Sequence, residues 1–134
     1  MPRIEWDESF SIDHPTIDKQ HRKWIEIFNK MHECMLNNDS GEYKSIAYVT
    51  LVSMQEYANT HFKFEEEYMY RINYPDFIKH RRLHKDFDTK IYEYNRDIRD
   101  GKMVLNTEIL KAIKNWLINH ILKEDKKIGR FAAE

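Results

Sequence analysis

Most of the chemistry this chain could perform lies in its histidines, seven among 134 residues. His80 and His84 stand four apart, so on a helix both imidazoles project from one face and can bind a single ion. His61 and Glu65 repeat that spacing with a carboxylate as the second member. The His80–His84 pair is not the H-E-x-x-H of a zinc protease, because Arg81 stands where the glutamate base would be. Further on, His120 is followed by Glu124 after four residues and by Asp125 after five, which on a straight helix is about 140° out of phase. Helix geometry alone chooses Glu124; Asp125 serves only if the helix loosens or ends there. Glu66 and Glu67 point elsewhere on their helix and are expected to be solvated.

Five of the histidines, His21, His61, His80, His84 and His120, fall on the apolar face of their own helix. A single histidine in such a place is usually an ordinary core residue with satisfied ring nitrogens. Five, contributed by four helices, are different, because a buried imidazole costs free energy unless its nitrogens find partners. A shared metal centre satisfies them together. Five imidazoles and two carboxylates are too many for one tetrahedral zinc, and the single cysteine, Cys34, rules out a thiolate cluster. Two six-coordinate ions, bridged by both carboxylates and an oxygen, would use all seven side chains and leave one position open. A dinuclear iron site with one vacancy suits ligand binding. Carboxylate-rich di-iron bundles carry Glu-x-x-His on two helices, and no glutamate here is followed three residues later by histidine.

Four helices must deliver these ligands. Ile17, His21, Trp24, Ile25, Phe28, Met31 and Met35 recur at steps of three and four, predicting a first helix from about Ile17 to Asn37. Asn37 to Gly41 breaks it. A second, from about Gly41 to Arg71, is expected to carry Ile46, Val49 or Thr50, Ser53, Tyr57, His61, Glu65 and Tyr68 on one face, before Asn73-Tyr-Pro75-Asp76 interrupts it. The third, about Asp76 to Asp100, aligns Phe77, His80, His84, Phe87, Ile91, Tyr94 and Ile98, with Gly101 as its left-handed cap. The fourth, about Thr107 to Lys123, turns Ile109 or Leu110, Ile113, Trp116, Leu117, His120 and Ile121 inward. The expected fold is all-α: an up-down-up-down antiparallel four-helix bundle forming a single domain over residues 1–134, with an N-terminal arm and a short C-terminal segment.

Composition agrees. Glycine and proline number three each, about a third of ordinary usage, too few to punctuate a strand-rich fold. Lys and Arg total 22 against 23 Asp and Glu, a net charge of −1. That leaves no basic excess to bind nucleic acid. The start lacks the apolar stretch of a secretory signal, no run of 18 apolar residues could span a membrane, and the lone cysteine fits a reducing compartment. A cytoplasmic protein is expected.

At this point the residues resemble the hemerythrin family, particularly its single-domain bacterial members. The resemblance runs from the Trp6 arm through Asp18-Lys-Gln20-His21, His61-Phe-Lys-Phe-Glu65-Glu66, Tyr74-Pro75-Asp76-Phe77 with His80 and His84, to Trp116-Leu117-Ile-Asn-His120 and Asp125. It implies two iron ions with an oxo or hydroxo bridge, both bridged by Glu65 and Asp125. One would be held by His80, His84 and His120, the other by His21 and His61, with a vacancy for dioxygen. The family choice is therefore Asp125. Reversible binding there depends on an apolar pocket that excludes water and anions, for which Trp24, Trp116 and Leu117 are the candidate wall. Many family members carry a smaller aliphatic residue at the Trp24 position, which bears on pocket size. Phe62 and Phe64 are expected to pack between helices, His14 and His32 to be surface or supporting residues, and Cys34 to be an inert, partly buried thiol.

The function implied is reversible dioxygen binding for carriage, storage or delivery, without catalysis, with dioxygen as the ligand partner. Two other classes compete. A di-iron oxidase, peroxidase or nitric-oxide-handling enzyme would turn over well above free iron, and a sensor module would pass occupancy to an output partner.

Overall fold

The computed structural model of the chain describes the backbone of residues 3–36 and 43–134, and side chains of residues 3–35 and 48–134. Its long helices are α1 (Pro15–Leu36), α2 (Tyr43–Arg71), α3 (Phe77–Arg99) and α4 (Thr107–Asn119). No strand occurs among the described residues. The Asn37–Gly41 connection, the expected start of α2 and the side chain of Ile46 lie outside those residues.

Local chemistry sets the helix ends. Pro15 opens α1, where a missing N–H costs nothing, and the Ile17 amide donates to His14 Nδ1. Gly101, at a φ of 74°, closes α3 in a Schellman motif. Its own N–H reaches the Ile98 carbonyl and the Lys102 N–H reaches that of Asp97. Asn106 caps α4 by accepting from the Ile109 amide at 2.9 Å.

Beyond Asn119 the helix does not simply run on. Residues His120–Asp125 form a π-helical turn, and a short helix α5 (Lys126–Ala132) completes the chain. The N-terminal arm crosses this end of the bundle. Ile12 passes so close to α5 that a Cβ at Gly129 would lie 2.4 Å from its carbonyl oxygen, so glycine is what permits the crossing. Asp18 ties the arm down, accepting from the Ser11 hydroxyl at 2.6 Å and the Ile12 amide at 2.9 Å. Further along, Asn29 exchanges two 2.8 Å hydrogen bonds with the backbone of Ile4.

The apolar face of α2 departs from expectation. Leu51, Met54 and Ala58 are buried and Thr50 with them, whereas Ser53 and Val49 are exposed. The expected series stepped by four from Ser53 to Glu65, and each step of four overshoots a turn by about 40°, so the stripe drifts off the core. Mixed steps of three and four, Met54, Ala58, His61, Glu65 and Met69, stay on it.

The core is layered along the bundle. Trp24, Phe28 and Met31 of α1, Leu51 and Met54 of α2, Ile91 of α3 and Ile109 and Ile113 of α4 form the main body. A smaller cluster of Met69, Tyr74 and Ile128, flanked by Phe77 and Phe131, closes the end where α2 turns into α3. The five inward histidines lie near the start of α1, late in α2, early in α3 and at the end of α4. In an antiparallel bundle these are the same end.

Candidate metal centre

Seven ionisable side chains, His21, His61, Glu65, His80, His84, His120 and Asp125, are all buried and meet at that end. They form two overlapping groups. Glu65, His80, His84, His120 and Asp125 make one, and His21, His61, Glu65 and Asp125 the other, with the ligand atoms of each group within 4.8 Å of one another. The two carboxylates belong to both groups, and their oxygens divide between them. Glu65 Oε1 lies 2.8 Å from His80 Nε2 and 3.1 Å from His84 Nε2, while its Oε2 lies 3.3 Å from His61 Nε2. Asp125 Oδ1 lies 3.0 Å from His80 Nε2 and 3.1 Å from His120 Nε2, and its Oδ2 lies 2.9 Å from His21 Nε2.

The π-helical turn explains how Asp125 arrives. Its i→i+5 ladder stacks residues five apart, so His120 and Asp125 share an inward face that a regular α-helix would deny them. Glu124, which a straight helix favours, instead lies partly exposed with Lys127 Nζ at 3.5 Å.

Two of the imidazoles are held from behind, while Nδ1 of His21 is buried without a partner. His61 donates from Nδ1 to Gln20 Oε1 at 2.7 Å, and His84 from Nδ1 to Glu66 Oε2 at 2.9 Å. Each bond fixes the ring and leaves Nε2 to face inward. Glu66 is thus not the solvated residue that its helical phase suggested. Only its backbone points off the stripe, and its side chain reaches across to α3. Gln20 precedes His21 in the sequence, but its spacing carries no sign of this role, since its partner lies 41 residues away.

This arrangement calls for cations. His21 and His61 bring their Nε2 atoms to 3.1 Å, as do His84 and His120. The Nε2 lone pairs of His61 and His84, whose Nδ1 protons go to Gln20 and Glu66, each face a second imidazole nitrogen at that distance. Glu65 Oε2 and both oxygens of Asp125 are buried without an aligned hydrogen bond, a costly state unless something positive satisfies them. Metal ions resolve both problems, and the donor set of imidazole and carboxylate suits iron.

Protons show the same field in the metal-free chain. Burial opposes charge on His21 and His80, but Asp125 and Glu65 overcome it and push them up to about 9 and about 10. His84 also rises despite burial, through Glu65 and Glu66. For His61 and His120 burial prevails and the pKa falls. Burial would raise both carboxyls, yet the surrounding imidazoles hold Glu65 and Asp125 below their ordinary values.

An aromatic layer separates this cluster from the aliphatic core. Trp24 is wholly buried, its ring 5.5 Å from that of His61, 5.4 Å from Phe62 and 5.5 Å from Phe87. Trp116 stacks on His120 at 4.4 Å and meets Phe87 at 4.2 Å. Leu117 is buried in the adjoining core. Phe62, expected only to pack between helices, stacks on His84 at 3.9 Å. Its position next to His61 was the available signal for that contact. Phe64 packs edge-on to His14. His32 is buried rather than at the surface, parallel to Phe28 one turn away, and Cys34 is half-buried away from the cluster.

The chain is similar to known proteins in sequence and in fold. A family model described as a hemerythrin HHE cation binding domain matches residues 13–132. A bacteriohemerythrin from Clostridium acetobutylicum is 30% identical over 123 residues, spanning 91% of this chain and 95% of its own. One from Stenotrophomonas maltophilia is 29% identical over 126 residues, covering 94% and 79%. Among solved structures, a wild-type hemerythrin crystal structure aligns at a TM-score of 0.90 and 25% identity, over 99% of this chain and 100% of that one.

Proposed function

This chain belongs to the hemerythrin family, and on that premise we propose that it binds dioxygen reversibly at a non-heme di-iron centre, as a carrier, store or delivery protein. The observation that carries the reading is the division of the carboxylate oxygens. Glu65 and Asp125 each turn one oxygen toward the His80–His84–His120 group, Glu65 to His80 and His84 and Asp125 to His80 and His120, and the other toward the His21–His61 group. The first ion would have three imidazoles and two carboxylate oxygens, and the second one imidazole fewer. The vacancy for a small ligand therefore falls on the His21–His61 side. Two ferrous ions there would supply the electrons that make dioxygen binding possible.

The protein's own part is to hold the ligands and keep the site dry. Gln20 and Glu66 orient His61 and His84, and Trp24, Phe62, Phe87, Trp116 and Leu117 are the apolar wall. Such a wall disfavours entry of water and charge separation, the conditions under which ferrous iron is lost to irreversible oxidation. The whole chain acts as one domain, with dioxygen as its ligand and neither nucleic acid nor membrane as a partner. Among the described residues no helix is long and apolar enough to cross a membrane, and a cytoplasmic setting fits the lone cysteine.

Iron content and the visible spectrum test this directly. Aerobic protein should hold about two irons per chain and show an oxo-to-iron charge-transfer spectrum that disappears under deoxygenation and returns with air. Protein that passes straight to the ferric form with no reversible stage overturns the carrier reading. Turnover of peroxide or nitric oxide well above that of free iron would move it to an enzyme.

A further inference from the structure

Trp24 presents a polar atom that the dry wall does not need. Its indole nitrogen is fully buried and has no hydrogen-bond partner, although the ring lies against those of His61, Phe62, Phe87 and Trp116. An indole N–H can only donate, and a buried donor left unpaired is destabilising. Leucine or phenylalanine would fill a wall position without that cost.

The neighbours supply no acceptor. Phe62 and Phe87 have no lone pairs, and the indole of Trp116 is itself a donor. His61 uses Nδ1 toward Gln20 and turns Nε2 to Glu65 and His21. Trp24 nevertheless sits one helical turn after His21 and against the His61 ring, on the side where an ion would have one imidazole fewer.

We propose that the Trp24 indole N–H is a hydrogen-bond donor kept for a small ligand carrying negative charge at the His21–His61 position, which makes Trp24 a specificity-determining residue. The inference rests on the dioxygen-binding reading for the location of the vacancy. A donor in an otherwise apolar pocket favours ligands that carry or acquire negative charge over neutral ones. It slows their escape, because leaving the pocket returns the donor to its unpaired state. The same donor makes the site more prone to capture by simple anions than a purely aliphatic wall would.

Azide serves as the probe. In the diferric protein Trp24→Phe, which keeps an aromatic ring and removes the N–H, should weaken azide binding about ten- to a hundredfold, the range for a hydrogen bond to a charged group. Unchanged azide affinity overturns the proposal. The second measurement is ultraviolet resonance Raman of the indole N–H-sensitive band, isolated as the difference between the native protein and Trp24→Phe. In the metal-free protein the band should report a free N–H, and with azide bound to the diferric protein a hydrogen-bonded one. A band already in the bonded position without metal, as an N–H seated on the Phe62 or Phe87 ring face would give, overturns the proposal, as does a band that azide leaves in place. If the native protein fails to load two irons or to bind dioxygen, the di-iron reading itself has failed, a result separate from loss of the Trp24 effect alone.

Discussion

His120 and Asp125 stand five residues apart, yet Nε2 of one lies 3.1 Å from Oδ1 of the other, because the backbone between them is π-helical. That turn decides which acidic residue faces the cluster. It leads directly into α5, which places Ile128 in the small core cluster and Gly129 beneath the N-terminal arm. One local widening of the helix therefore serves both the site and the packing around it.

Asp125 and Glu124 can be told apart by substitution. Asp125→Asn keeps the shape but removes the charge shared between both groups, and iron should drop to roughly one per chain or less, whereas Glu124→Gln should retain about two. Iron analysis of the purified variants measures this. Full iron in Asp125→Asn would mean that the carboxylate is not a ligand.

Glu66 and Gln20 act behind the imidazoles. Removing such a partner typically costs about 10–100-fold in metal affinity. Glu66→Ala and Gln20→Ala should each lose iron to a competing chelator faster than the native protein, with helicity by circular dichroism unchanged. If chelator kinetics match the native protein, these bonds do not orient the ligands.

The metal-free protein should show a pH dependence of definite sign. His21 and His80 have folded pKa values raised to about 9 and about 10, so their stabilising charge is fully present below the ordinary value of about 6.5. It is lost as pH rises through the folded values. The thermal midpoint of metal-free protein should accordingly fall between pH 6 and pH 10. Glu65 and Asp125 are depressed, and their contribution is lost instead as pH drops below the ordinary carboxyl range. With iron in place of the protons, the decline above neutral pH should largely vanish. A metal-free midpoint that climbs toward pH 10 would contradict the assigned charge states.

Gly129→Ala tests the arm crossing. The added Cβ would meet the Ile12 carbonyl at 2.4 Å, and backbone yields less easily than a side chain, so a loss of about 1–3 kcal/mol is expected. Chemical denaturation gives the value. Native stability in this variant would show that the arm is not pressed against α5.

Much of this molecule is legible in its residue order, where the signal is local. Gly101 ends α3 because only its backbone accepts the left-handed turn cheaply, and His80 and His84 share a face because a helix repeats every 3.6 residues. Drift along a long helix is less legible: steps of four point Ser53 inward, whereas Met54 is the buried residue. Contacts between helices were legible only where a residue's own face predicted them. Phe62 beside His61, Glu66 beside Glu65 and Gln20 beside His21 all find their partners on another helix, and periodicity within one segment says nothing of that.

Residue identity and short-range spacing suffice for a four-helix, turn-poor chain, for five inward histidines and Glu65 as candidate ligands, and for the likeness to one family, whereas the same spacing favours Glu124 over Asp125. Tertiary structure decided how a residue five positions after His120 turns inward, how two carboxylates split their oxygens, and which side chains brace the imidazoles. These depend on where separate helices lie against one another, and on a local departure from regular helix that only the packed bundle selects.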